Sequence, residues 1–122
     1  MRGLVIDASV ARSEAILVED ATALYAPDVI DLEVANMLRK AVIRGAMDAG
    51  AANEEIAAWA VNDVQRFPHA PRLPAVWAMR HNITPYDAAY VALAIDLGVP
   101  LVTADRRLAA AAENYCEVIV VE

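Results

Sequence analysis

Four acidic residues lie where their carboxylates could jointly hold a metal ion. Asp7 and Asp105 follow short apolar runs that predict strands, and Glu33 and Asp87 lie near the starts of predicted helices. In an open α/β sheet these positions share one edge, where residues distant in sequence converge. Four carboxylates in one crevice would repel each other unless cations lay between them, and Mg²⁺ or Mn²⁺ suits ligands that are all oxygen. The pattern therefore predicts a divalent-metal site.

Each acid also has a purely structural interpretation. Asp7 and Asp105 are suitable helix caps, and the segment TPYD that ends at Asp87 has the form of a capping box with proline in the first turn. Glu33 is expected within the first turn or so of its helix, where the helix dipole favours a negative charge. No single position demands chemistry, but the joint placement of the four acids at one sheet edge favours the site.

Hydroxyl and cationic residues accompany the acids. Ser9 and Thr103 are the candidate hydroxyl partners of the carboxylates, or else they make routine local backbone bonds. Cationic residues follow Glu33 along one helix face within an arc of ~80°, and others follow Asp105. Such a stripe would suit a substrate that tracks along a backbone, although a solvated polar face explains it as well. The candidate contacts to such a substrate are Lys40, Arg44, Arg106 and Arg107.

The composition limits the class of protein. The 122 residues predict a single domain, 1–122, and charges interrupt every apolar stretch before the ~20 residues that a membrane span needs. Cys116 is the only cysteine and the first residues do not form a signal peptide, so we expect a cytoplasmic protein. A formal net charge of −7 argues against a general nucleic-acid binder but not against an enzyme that cleaves nucleic acid, because bound cations reverse the sign of an acidic cleft. The 59% of hydrophobic residues suggests an apolar surface for a partner or for self-association.

Strands and helices alternate along the predicted chain, which is typical of a mainly parallel sheet of about four to five strands covered on both faces. Asn53 is the expected cap of the third helix. The predicted strands are 3–7, 23–26, 67–70, 100–103 and 117–121, and the predicted helices are 8–20, 28–45, 53–66, 73–81, 85–97 and 106–114.

Four motifs resemble those of PIN domains, and among these the VapC-type ribonuclease toxins of toxin–antitoxin pairs. The motifs are VIDAS at 5–9, DLEVAN at 31–36, YDAAYVALA at 86–94 and LVTADRRL at 101–108. The resemblance implies a three-layer α/β/α fold, an endoribonuclease dependent on Mg²⁺ or Mn²⁺, a homodimer, and a cognate antitoxin protein that neutralises it. The connection between the first two motifs looks shorter than is usual in the family. By the same resemblance, the acidic quartet is Asp7, Glu33, Asp87 and Asp105, and the supporting polar residues are Ser9, Asn36 and Thr103.

The expected mechanism depends on charge and not on a nucleophilic side chain. His69 and His81 lie in or beside predicted loops away from the acid edge, so no Ser/His/Asp set is credible. One or two divalent ions would activate a water that attacks the RNA phosphodiester and leaves 5′-phosphate and 3′-hydroxyl ends.

Two alternatives belong to other classes of protein. The first is a phosphoacceptor receiver domain, which needs a second acid beside the one that follows the first strand and a lysine after a strand late in the chain. Lys40 is the only lysine and lies too early. The second is a catalytically silent PIN-like interaction module, in which the acids are reduced to helix caps and a vestigial cation site.

Overall fold

A parallel sheet of five strands forms the centre of the protein, in a computed structural model that describes residues 2–11 and 21–121. All four neighbouring strand pairs are parallel, and the spatial order is β3-β2-β1-β4-β5. Strands β1 and β4 are adjacent and interior, with Val5 paired to Leu101 and Ile6 to Val102. The strands are β1 Arg2–Ile6, β2 Ala21–Pro27, β3 Gln65–Phe67, β4 Leu101–Thr103 and β5 Val118–Val120.

The strand order creates a crevice at the carboxyl ends of β1 and β4. The chain proceeds outward from β1 through β2 to β3, and then returns to β4 on the other side of β1 before reaching β5. The winding direction therefore reverses between β1 and β4, and sheets of this kind bind ligands at such a reversal. Asp7 directly follows β1, and Asp105 lies two residues after β4.

Helices lie on both sides of the sheet, so the expected three-layer α/β/α architecture is confirmed. The bounds of α5 match the prediction because its end signals are strong: Thr84 caps it, Pro85 occupies the first turn, and Gly98 ends it in the left-handed conformation at φ 66°. The helices are α1 Ala8–Ala11, α2 Val29–Ile43, α3 Ala49–Ala60, α4 Leu73–Ala78, α5 Pro85–Leu97 and α6 Arg106–Ala112.

The predicted start of the third helix was wrong. Asp48 and not Asn53 caps α3, because the Asp48 carboxylate accepts a hydrogen bond of 2.8 Å from the Ala51 N–H. Gly50 lies in the first turn of this helix. The helix also ends earlier than predicted, at Ala60, and the strand predicted at 67–70 lies instead at Gln65–Phe67.

The core lies between the sheet and its helices. Val5, Leu101, Ile30 and Leu93 are each fully buried, and α5 packs across β1, β2 and β4. Most of the helix predicted over 8–20, and with it the short connection before β2, lies outside the described residues. In the part of the chain that the structure describes, no helix has both the length and the apolar character needed to cross a membrane.

Candidate metal centre

Asp7 is the most buried of the four acids, with 5% of its surface exposed. Its Oδ1 accepts hydrogen bonds from the Ser9 N–H at 3.1 Å and the Ser9 hydroxyl at 2.6 Å. Its Oδ2 accepts one from the hydroxyl of Thr103 at 2.5 Å. Burial raises the pKa of Asp7 above its ordinary value, while these hydrogen bonds act in the opposite direction. Because burial destabilises the charged form of a carboxylate, a nearby cation would stabilise the ionised Asp7.

The same two hydroxyls join the segments that follow β1 and β4. The Ser9 Oγ accepts a hydrogen bond of 2.9 Å from the Ala104 N–H, and the Thr103 Oγ1 accepts one of 2.9 Å from the Asp105 N–H. Both predicted hydroxyl residues therefore contact Asp7 directly, and they fix its carboxylate against the loop that carries Asp105.

Glu33 reaches the acid edge from α2. It is the fifth residue of this helix and lies in the second turn, later than the sequence suggested, so a role in satisfying the helix dipole is weaker than expected. Burial raises the pKa of Glu33 above its ordinary value, and the negative charges of Asp87 and Asp7 raise it further. These three carboxylates therefore lie within electrostatic reach of one another.

Tyr90 is a site residue that the sequence analysis missed. Its hydroxyl donates a hydrogen bond to the Glu33 Oε1, while 1% of its surface is exposed. Burial and the negative charge of Glu33 raise the pKa of Tyr90 above its ordinary value, so the phenol stays protonated and can donate. The available signal was its spacing, since residues three apart share a helix face and Tyr90 follows Asp87 by three.

The guanidinium of Arg107 forms ion pairs with both Asp87 and Asp105. The Arg107 Nη2 lies 3.3 Å from the Asp87 Oδ2 and 3.6 Å from the Asp105 Oδ2. Asp105 also caps α6, since its Oδ1 accepts from the N–H groups of Arg107 and Leu108 at 2.9 and 3.2 Å. Asp87 lies in the first turn of α5, where its own N–H donates to the Thr84 hydroxyl at 3.3 Å.

The remaining predicted residues lie on exposed surfaces. Asn36 and Lys40 continue the exposed face of α2 beyond Glu33, and Arg44 follows at the end of this helix. Among the hydrogen bonds of the described residues, none joins Asn36 to an acid. Arg106 is exposed in the first turn of α6. Among the ion pairs of the described residues, none joins Lys40 or Arg44 to the four acids.

The donor set fits a hard divalent ion in its chemistry. All candidate ligands are carboxylate oxygens, and Arg107 already supplies positive charge between two of them. Within residues 2–11 and 21–121, no three Asp, Glu, His or Cys side chains are grouped closely enough to hold one ion. Coordination by three of the acids would therefore require these side chains to move closer together than they lie here.

Comparison with known proteins identifies the family of this chain. Residues 4–114 match the family model of the PIN domain, so the chain belongs to that family. Its relatives include Ribonuclease VapC1 of Mycobacterium tuberculosis, which is 46% identical over 94 residues, 76% of this chain and 71% of that protein. Ribonuclease VapC9 of the same organism is 35% identical over 97% of this chain and 98% of that protein. The chain is thus a member of the VapC group of PIN domains.

Solved structures share the fold. A protein from Pyrobaculum aerophilum, PAE2754, superimposes with a TM-score of 0.74 at 23% identity and covers 95% of this chain and 82% of its own. VapBC-5 from Mycobacterium tuberculosis, described as a member of the VapBC family of toxin–antitoxin systems, gives a TM-score of 0.68 at 21% identity and covers 98% of both chains. At these identities the comparison concerns the fold alone.

Proposed function

We propose that this chain is a metal-dependent endoribonuclease and the toxin of a type II toxin–antitoxin system. Membership of the VapC group supports the proposal, since the relatives at 46% and 35% identity are named ribonucleases. The name of a structural neighbour, VapBC-5, associates the same fold with a toxin–antitoxin system. Action on cellular RNA would take place in the cytoplasm.

The observation that carries the proposal is that acids from four separate segments lie at one edge of the sheet and interact in pairs through their charges. Asp7 and Asp87 each raise the pKa of Glu33 through their charge, and Asp87 shares Arg107 with Asp105. Folding gains nothing from mutual repulsion of carboxylates, so the arrangement is best explained by a cation that binds there. Mg²⁺ or Mn²⁺ would be held by Asp7, Glu33, Asp87 and Asp105.

The chain's own residues would hold the substrate and keep the carboxylates in place. A bound divalent ion supplies the positive charge that activates water and stabilises the leaving oxygen in phosphodiester hydrolysis. Ser9 and Thr103 fix the orientation of Asp7 through hydrogen bonds of 2.6 and 2.5 Å. No side chain has to act as a nucleophile, so we expect products with 5′-phosphate and 3′-hydroxyl ends.

The flanking cations would bind the RNA backbone. Residues along the exposed face of α2 extend ~16 Å from Glu33 at 1.5 Å per residue, a length that spans several phosphates. Neutralising phosphates with such residues makes binding weaken as salt rises. The proposed protein partners are a cognate antitoxin and a second copy of this chain. The residues proposed to contact RNA are Lys40, Arg44, Arg106 and Arg107.

The test is RNA cleavage by the purified protein with Mg²⁺, with Mn²⁺ and with EDTA. Asp7→Asn, Asp87→Asn and Asp105→Asn should each reduce cleavage ~100-fold or more, because metal stabilisation supplies several kcal/mol of the barrier reduction. Asp48→Asn is the matched control, since asparagine also caps helices and Asp48 serves α3 alone. This control should cleave RNA as the unmodified protein does.

The same experiment separates the enzyme from a catalytically silent interaction module. One observation favours the silent module, since Asp105 makes two N-cap hydrogen bonds, a structural role that requires no metal. It predicts no cleavage and no rise in melting temperature on adding Mg²⁺ or Mn²⁺. Cleavage that continues in EDTA, or that survives Asp7→Asn unchanged, would reject the assigned site.

A further inference from the structure

The hydroxyl of Tyr90 is the one buried polar group of α5 that reaches the acid edge. Residues 88–94 of this helix are all buried, and the others are alanine, valine or leucine. The ring of Tyr90 belongs to the core, yet its hydroxyl donates to a carboxylate oxygen of Glu33 on α2. The hydrogen bond thus joins the core helix to an acid of the site, across 57 residues of sequence.

An ordinary buried tyrosine needs only some acceptor for its hydroxyl. A backbone carbonyl would serve as that acceptor. The observed acceptor is instead the flexible carboxylate of Glu33, which has other acids beside it. Glu33 is half-buried and feels the charges of Asp87 and Asp7. Repulsion by these acids pushes the Glu33 carboxylate away from the crevice, whereas the hydrogen bond from Tyr90 holds it there.

The bond engages only one of the two oxygens of Glu33. Tyr90 donates to Oε1, and Oε2 takes no part in this hydrogen bond. A glutamate has three rotatable side-chain bonds and loses considerable freedom when it is held in place. The tether imposes that loss during folding, so a ligand that binds later does not have to impose it again.

We propose that Tyr90 is a positioning residue that tethers Glu33 through Oε1 and so presents its second oxygen to a divalent cation. The inference rests on the proposed function of the acid edge. Tyr90 does not contact the cation or the RNA, and it acts only through Glu33. Loss of a partner that orients a metal ligand typically weakens metal binding 10- to 100-fold.

The test is the affinity of the purified protein for Mn²⁺ alone, measured by isothermal titration calorimetry, in the unmodified protein and in Tyr90→Phe. Phenylalanine keeps the ring in the core and removes only the hydroxyl. We expect the dissociation constant for Mn²⁺ to rise roughly tenfold or more. Tyr115→Phe is the matched control, because the Tyr115 hydroxyl also makes a side-chain hydrogen bond, 2.9 Å from the Asn82 Nδ2, but none with the acids. This control should leave the dissociation constant unchanged.

A double-mutant cycle shows whether Tyr90 acts through Glu33. In a Glu33→Gln background, adding Tyr90→Phe should change Mn²⁺ affinity by less than about twofold, because the carboxylate that the tether serves is already gone. An equal loss of affinity in both backgrounds would overturn the inference and indicate general damage to the core. An unchanged dissociation constant in Tyr90→Phe alone would also overturn it.

RNA cleavage adds a second readout. Tyr90→Phe should cleave slowly at low Mn²⁺ and recover its kcat at saturating Mn²⁺, since only metal capture is impaired. A loss of kcat that persists at saturating Mn²⁺ would contradict a positioning role. Failure of the proposed function is distinguishable, because the unmodified protein itself would then bind no Mn²⁺. If the unmodified protein and Tyr90→Phe bind Mn²⁺ equally well, only the tether is rejected.

Discussion

Replacing Arg107 with glutamine should tighten metal binding while it weakens RNA binding. The guanidinium lies 3.3 Å from an oxygen of Asp87 and 3.6 Å from one of Asp105. It therefore neutralises two acids that a divalent cation would otherwise use. A cation that binds these acids must compete with Arg107, so removing the arginine removes the competitor.

The size of the effect follows from exposure. The Arg107 side chain is 73% exposed, against 17% for Asp87, and exposed ion pairs contribute roughly 0.2 to 1 kcal/mol each. Two pairs that share one guanidinium should together contribute about 1 kcal/mol. This corresponds to a Mn²⁺ dissociation constant roughly fivefold lower in Arg107→Gln.

Arg44→Gln provides the control for net charge. Both variants remove one exposed positive charge beside the acid edge, but among the ion pairs of the described residues those that reach Asp87 and Asp105 are made by Arg107 and not by Arg44. Calorimetric titration with Mn²⁺ at ~0.15 M salt, where long-range effects between exposed charges are largely screened, should separate the two variants. Equal dissociation constants in the two variants, or weaker Mn²⁺ binding in Arg107→Gln, would refute the competition. The Michaelis constant for RNA should rise in Arg107→Gln, opposite in direction to the metal effect.

Two further predictions concern folding stability, and the first of them is measured in EDTA. Burial raises the pKa of Asp7 above its ordinary value of 3.8, so the folded protein binds this proton more tightly than the unfolded chain does; metal-free stability should fall as pH rises from 3.8 through the raised value. Asp7→Asn should melt at a higher temperature than the unmodified protein at pH 7, by a margin that shrinks as the pH is lowered, and a constant margin across the pH scan would argue against this account. Arg66→Ala should lower the free energy of unfolding, measured in urea, by about 2 to 3 kcal/mol. The Arg66 side chain is 18% exposed, and its guanidinium hydrogen-bonds Asp31 and the Trp59 carbonyl and stacks on the Trp59 ring. A loss below ~0.5 kcal/mol would mean that this network contributes little.

The sequence predicted best where a local signal determines the structure. Thr84, Pro85 and Gly98 mark both ends of α5, and each acts within a few residues of its own position. Asp7 and Asp105 were expected at one edge because parallel strands with helical connections leave their carboxyl ends on the same side. The third helix was misplaced because Asp48 and Asn53 are both acceptable caps, and the choice between them depends on packing against α2.

Tyr90 and Arg107 show what the sequence cannot provide. Helix α5 is apolar on every side in its middle turns, so periodicity gives no direction for its side chains. Which of these residues ends beside Glu33 is decided by how α5 lies across the sheet. Arg107 likewise looked like a residue for RNA, and only the orientation of α6 brings its guanidinium between Asp87 and Asp105.

The structural and the chemical interpretations of the acids are compatible because a carboxylate has two oxygens. Asp105 uses Oδ1 to cap α6, while its Oδ2 faces Arg107. Glu33 uses Oε1 for Tyr90 and keeps Oε2 outside that bond. Each carboxylate oxygen can accept about two hydrogen bonds or ligands, so a cap or a tether consumes only part of its capacity. The bonds that suggested a purely structural role thus restrict the orientation of each carboxylate, and such restriction is what a metal ligand requires.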